Sequence, residues 1–168
     1  MKNSLLLIAR QAIYDNTSGR GCYSPPSAAE GGMAQGCFVS LKKKSKLRGC
    51  MGTMVPTQPT LEAEVAANAL AAALRDPRFQ PVRLEELDLI RISIDLLSPL
   101  EEVRSEAELD PVVYGLMVRA GRKKGLLLPD LPGVRTVQRQ IEICREKAGI
   151  PAGEPVTMER FVVERIEE

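Results

Sequence analysis

The chain of 168 residues is long enough to bury a core without disulfide or metal staples, and its 44% hydrophobic and 27% charged residues fit neither a disordered nor a membrane class. A formal net charge of +1 supplies no overall field to draw in nucleic acid or a membrane surface, and the absence of histidine excludes Ser-His-Asp and Cys-His catalysis along with every histidine-ligated zinc or iron site. The four cysteines, Cys22, Cys37, Cys50 and Cys144, are too widely spaced for a CxxC redox pair or zinc knuckle, and no intrinsic cofactor or metal is expected.

The first residues hold Lys2 and the apolar run Leu5-Leu6-Leu7-Ile8, which Arg10 and Gln11 end too soon for a signal peptide. No later run approaches the roughly 20 apolar residues of a membrane helix. A cytoplasmic location, no membrane partner and reduced thiols are therefore expected. Residues 3–14 read as an amphipathic helix with Leu5, Ile8, Ala9 and Ala12 on one face. Residues 15–36 gather Gly, Ser, Pro and Asn, including Ser24-Pro25-Pro26-Ser27, and read as a loop.

Residues 36–40 and 47–53 are strand-like runs joined by Lys42-Lys43-Lys44-Ser45-Lys46, a β-hairpin with a basic turn. Thr57 or Thr60 caps the next helix, Pro59 sits in its first turn, Glu62 and Glu64 suit its positive end, and alanines carry it to Leu74. Pro77 stops it at Arg75-Asp76. Residues 90–96 alternate apolar and polar side chains, which predicts a strand with one buried face. A second hairpin spans residues 114–118 and 125–128 across a basic turn at 119–124. A helix over 136–148 follows, with Val137, Ile141, Cys144 and Ala148 on one stripe and Gly149 as its stop, and residues 156–166 form a final strand.

The order hairpin, helix, strand thus occurs twice, with Gly36 and Gly115 opening the two copies. The expected fold is α+β: one domain over residues 1–168, in which two related hairpin-helix-strand halves form one mostly antiparallel, partly barrel-like sheet covered by helices.

The segment Leu47-Arg48-Gly49-Cys50-Met51-Gly52-Thr53 is the leading candidate for chemistry. Strand alternation puts Arg48, Cys50 and Gly52 on one face. A guanidinium beside a thiol favours the thiolate, and the flanking glycines let a ligand or another backbone approach. Cys50 is then a candidate nucleophile and Arg48 its stabiliser. The structural alternative is a cysteine packed as a small hydrophobe, with glycines that mark a bulge or bend. A turn at Lys44-Ser45 sets Cys37 diagonally from Cys50 on the same face, and a turn one residue longer or shorter sets it on the opposite one. In Arg75-Asp76-Pro77-Arg78-Phe79, Asp76 is expected to accept the hydrogen bonds that fix the turn while Phe79 anchors it in the core; Asp76, Arg78 and Asn68 are candidate substrate-binding groups with Gly49, Gly52 and Thr53. The lysine-rich turns could meet phosphates, but three Tyr, three Phe and no Trp equip the chain poorly for stacking on bases.

The stretches GCFVSLKKKSKLRGCMGTMVPTQPT, EVAANALAAALRDPRF, DLLSPLEEV, YGLMVRAGRKKGLLLPD and CREKAGIP, in this order, resemble the AMMECR family, known in prokaryotes as protein A of the AmmeMemoRadiSam system. The family signature falls on Leu47, Arg48, Gly49, Cys50, Gly52 and Thr53, with Met51 where a branched aliphatic is more usual. Cys37 stands where an aliphatic is typical, so it is no obligatory partner of Cys50, and residues 15–35 depart most from the pattern. The resemblance implies an α+β fold of two related halves and association with a Memo-like protein and a radical S-adenosylmethionine (SAM) protein, without an assigned activity. Two functions compete: an enzyme component whose Cys50 handles a small substrate, and a non-enzymatic adaptor that docks a partner through the same surface. Nucleic-acid binding through the lysine-rich turns is a weaker third.

Overall fold

The computed structural model describes residues 2–21, 23–25 and 31–168, so Cys22 and the Pro26-Ser27 end of the expected loop lie outside the described residues. The chain forms two compact units, one of the described residues up to Leu97 with Glu164–Glu168, the other of Ser98–Val163.

In the first unit, α1 (Lys2–Thr17) buries Leu5, Ala9, Ala12 and Ile13 along its apolar stripe. Strands β1 (Cys37–Lys43) and β2 (Lys46–Thr53) form the expected hairpin. It turns through Lys44 and Ser45, whose φ values of 50° and 63° give the left-handed pair that matches strand twist in a two-residue turn. α2 (Leu61–Leu74) starts at Thr60, whose hydroxyl accepts from the Ala63 N–H at 3.1 Å, so Pro59 precedes the cap instead of occupying the first turn. The alanine-rich helix packs on β1 and β2. A 3-10 helix, Leu84–Leu89, leads into β3 (Ile90–Leu97), antiparallel to β1. Its alternation predicts one buried face; the structure buries both, Ser93 and Asp95 included, and leaves only Arg91 exposed.

The second unit contains β4 (Glu101–Val103) and the hairpin of β5 (Gly115–Ala120) with β6 (Lys123–Leu127), which turns at Gly121-Arg122. α3 (Val137–Ala148) is capped by Thr136 and ends at Gly149 with φ 64°. The segment read as one final strand is two, β7 (Thr157–Phe161) and β8 (Val163–Glu167). Val162 separates them by exchanging hydrogen bonds with Ser98 in place of a ladder partner.

The mostly antiparallel α+β class is as expected, but the single, partly barrel-like sheet is corrected to two four-stranded sheets, β2-β1-β3-β8 and β4-β7-β5-β6. Each hairpin-helix-strand set receives its own fourth strand, β8 beside β3 and β4 beside β7, so each sheet is complete without closure onto the other.

The two halves also repeat a packing device. A Cβ built on Gly49 would stand well under 3.0 Å from the Ala72 carbonyl oxygen of α2, and one built on Gly125 equally close to the Cys144 carbonyl oxygen of α3. Matching these crossings pairs Leu41, opposite Gly49, with Val118, opposite Gly125. Cys37 then corresponds to Tyr114, and Asn68 to Gln140. The chemistry agrees: Asn68 Nδ2 donates to the Cys37 carbonyl at 3.1 Å, and Gln140 Nε2 donates to the Tyr114 carbonyl at 2.7 Å. By this register the counterpart of Gly115 is Phe38, two residues beyond Gly36.

Candidate functional site

The β1–β2 register slips by one residue near the turn. Lys42 faces Leu47 but Leu41 faces Gly49, which makes Arg48 the extra residue of a β-bulge. Cys50 therefore stands opposite Ser40, while Cys37 stands opposite Thr53 on the other face. The turn is at Lys44-Ser45, as the same-face placement of the two thiols required, yet the bulge sends Cys37 to the opposite side. There it is fully buried, and burial pushes its thiol up to about 11. Cys144 is also fully buried, on α3, and burial pushes it up to about 12. Cys50 is partly exposed.

Three groups meet Cys50. The Ser40 hydroxyl donates to its sulfur at 3.2 Å. Its main chain faces the open edge of the sheet, where the N–H donates to Asp76 Oδ2 at 2.9 Å and the carbonyl accepts from Arg78 Nη2 at 3.3 Å. Asp76, 5% exposed, also accepts from the Arg78 main chain at 3.1 Å and from its guanidinium at 2.9 and 2.7 Å. Arg78 holds the Asp76 carboxyl well below the usual carboxylate range, against the opposing effect of burial. The Arg78 pKa is itself raised, chiefly by Asp76. The turn after α2 thus closes a sheet edge as a neighbouring strand would. Phe79 is only half-buried and is corrected from a core anchor to a platform, with the Arg78 guanidinium 5.5 Å from its ring centre.

Arg48 is committed elsewhere. Its guanidinium donates to Glu86 at 3.2 and 2.9 Å and to the carbonyls of Gln80 and Pro81 at 2.9 and 3.4 Å. Lys43 Nζ reaches the same carboxylate at 2.8 Å. Hydrogen bonds from Arg48 first, then Lys43, lower the Glu86 pKa from 4.5 to about 2. A depressed carboxylate stabilises the fold above its unfolded value and loses that contribution as pH falls through the folded one. Glu86→Gln should therefore lower stability at pH 7 by about 2 kcal/mol. The deficit should shrink between pH 4.5 and about 2, which urea midpoints across that range would measure; a deficit independent of pH would refute the assignment.

Asn68 and Thr53 lie on the α2-facing side. Asn68 Nδ2 also donates to the Thr53 hydroxyl at 3.1 Å. Wholly buried Glu64 accepts from that hydroxyl and from the N–H groups of Thr57 and Gln58 at 2.6 and 2.7 Å. This network seats the connection between β2 and α2, and it separates Asn68 from the Asp76 it was grouped with. The glycines are occupied too: Gly49 by the α2 backbone, and Gly52 by the Phe38 ring, which would clash with an added Cβ.

Of the residues singled out by sequence, Cys50, Asp76 and Arg78 come together. Ser40 was missed because only the cross-strand register reveals it. The second half is a built-in control. There Lys147 Nζ donates to the Leu126 carbonyl at 2.8 Å, and Leu126 faces Met117. Leu126 and Met117 correspond to Cys50 and Ser40, while Lys147, which the helix register matches with Arg75, makes on the edge carbonyl the contact that Arg78 makes in the first half. A cation on the edge carbonyl is common to both halves, whereas the thiol and hydroxyl have apolar counterparts. Among the described residues no group of three or more Cys, Asp or Glu could hold a metal ion, and no helix is long and apolar enough to cross a membrane.

The AMMECR1 family profile matches residues 6–166. A Thermotoga maritima protein is 52% identical over 132 residues, covering 77% of this chain and 76% of that protein. A Clostridium acetobutylicum protein is 49% identical over 136 residues, 81% of this chain but 29% of that longer protein. The crystal structure of an uncharacterised Pyrococcus horikoshii protein superposes with a TM-score of 0.87 at 30% identity, covering 98% of this chain and 89% of that one.

Proposed function

The chain belongs to the AMMECR1 family, and from that premise we propose that it is the component of an AmmeMemoRadiSam system in which Cys50 acts on a small substrate or intermediate shared with Memo-like and radical SAM partners. The observation that carries this reading is the asymmetry between the duplicated halves. Both halves set a cation on the edge carbonyl, but only the first places a partly exposed thiol beside a serine hydroxyl and a guanidinium anchored by a buried carboxylate. Cys50 is the reacting group and Ser40 a hydrogen-bond donor to its sulfur. Arg78 takes the part of the neighbouring cation that the strand pattern assigned to Arg48.

The adaptor reading has less to stand on. Arg48, with a side chain 15% exposed, is held by Glu86, and Gly49 lies against α2, so neither is presented to a partner.

Native protein treated with iodoacetamide at pH 7 and digested should carry the label on the Cys50 peptide at least about 100-fold faster than on the Cys37 and Cys144 peptides, whose thiols are buried and protonated. Denaturation should bring the three rates together. A native Cys50 as inert as Cys144 would overturn the proposal.

A further inference from the structure

The geometry points to an anion subsite formed by Lys42 and Arg91 on the same face as Cys50, for a small molecule that carries a phosphate or carboxylate; this rests on Cys50 as the reacting residue. The β1–β3 register sets Lys42 directly opposite Arg91 and Ser40 directly opposite Ser93, while Ser40 also faces Cys50. Side chains two apart along a strand share a face. The pair Lys42–Arg91 therefore forms the next row beyond Cys50–Ser40–Ser93, about 7 Å along the strands.

Like charges directly opposite on adjacent strands repel and cost stability. Both side chains are exposed, and among the described residues neither has a carboxylate partner, although Lys43 and Arg48 nearby share Glu86. The second half again shows the alternative. There the counterpart of Lys42 is Arg119, and it faces Thr157 where Lys42 faces Arg91. Glu159, opposite Met117 and so in the place of Ser93, binds Arg119 at 2.7 Å. One half neutralises its cation. The other replaces the acid with serine, adds a second cation, and puts this uncompensated charge one row from the thiol. An anionic group seated between Lys42 and Arg91 relieves the repulsion and leaves the substrate's reacting atom within reach of Cys50. No aromatic ring stands in this row for a base to stack on.

Inorganic pyrophosphate is the first probe. It should raise the thermal midpoint of the full chain, and Cys50→Ser should keep that rise, whereas Lys42→Ser/Arg91→Ser should lose it. Without ligand the double variant should melt no lower than the parent, because the repulsion is gone. The second readout is alkylation of Cys50 by iodoacetate relative to neutral iodoacetamide. That ratio should fall about fivefold in the double variant at low salt. Arg122→Ser/Lys124→Ser, which removes the same charge from the second unit, should change neither reading. A pyrophosphate shift that is absent in the parent, or that survives in Lys42→Ser/Arg91→Ser, overturns the subsite. A shift that depends on Lys42 and Arg91 while Cys50 resists iodoacetamide keeps the subsite and removes the proposed thiol chemistry.

Discussion

Gly49→Ala is expected to destabilise the protein by about 3 kcal/mol, and Gly125→Ala by a similar amount. In both cases the new methyl meets a main-chain carbonyl of the overlying helix, Ala72 for Gly49 and Cys144 for Gly125. A flexible side chain could swing away; a helix carbonyl can move only if the helix moves. Displacing α2 would open the packing of Val65, Ala69 and Ala72 against Val39 and Leu41, all buried in one core. Displacing α3 would do the same where Cys144 meets Leu116 and Val118. Urea unfolding of the two variants beside the parent is the measurement. Gly49 adjoins Cys50 and would ordinarily be read as part of a reactive site. Gly125 has Leu126 for a neighbour and no thiol chemistry to serve. Equal losses establish both glycines as packing devices of a duplicated fold, and a loss below about 1 kcal/mol at either position would refute that role.

The elements were legible where a local rule governs them. Thr60, Thr136 and Gly149 cap helices by chemistry that can be read in a few residues, and the alanine run to Leu74 and the alternation of residues 90–96 set period and length. What stayed hidden depends on partners distant in sequence. The bulge at Arg48 is one residue in the register of two strands, and it alone decides that Ser40, not Cys37, shares a face with Cys50. Strand alternation made Arg48 the obvious cation for the thiol, but a long guanidinium goes where carboxylates and carbonyls are, and Glu86 lies 38 residues away. The division into two sheets was likewise invisible, because it turns on where the short β4 and β8 pair. The duplication could be inferred from element order, and its true register only from the two glycines beneath the helices.

Asp76→Ala is expected to cost about 3 kcal/mol at pH 7 and to loosen Cys50 before anything else. The buried carboxylate accepts the Cys50 N–H and three bonds from Arg78, and hydrogen bonds to a charged group contribute roughly 1.5–3 kcal/mol each before losses are shared. Its pKa lies below the ordinary 3.8, so the stabilisation is complete above that value and is lost as pH falls through the lower, folded one. The gap between parent and Asp76→Ala should therefore be constant from pH 7 to about pH 5 and narrow below 3.8. Asp76→Asn, which keeps the shape but not the charge, should fall between the two. Stability alone would not separate a turn-fixing role from a positioning one. Hydrogen exchange would: the Cys50 amide should exchange much faster in Asp76→Ala, while the amides of β5 in the other unit keep their protection. Arg78→Lys gives up the forked contact with the carboxylate but leaves Asp76 in place to accept the Cys50 N–H, so it should leave that amide protected. Unchanged exchange at Cys50 in Asp76→Ala would mean that β2 holds its edge residue without help from the turn, and the coupling between the two segments would fall with it.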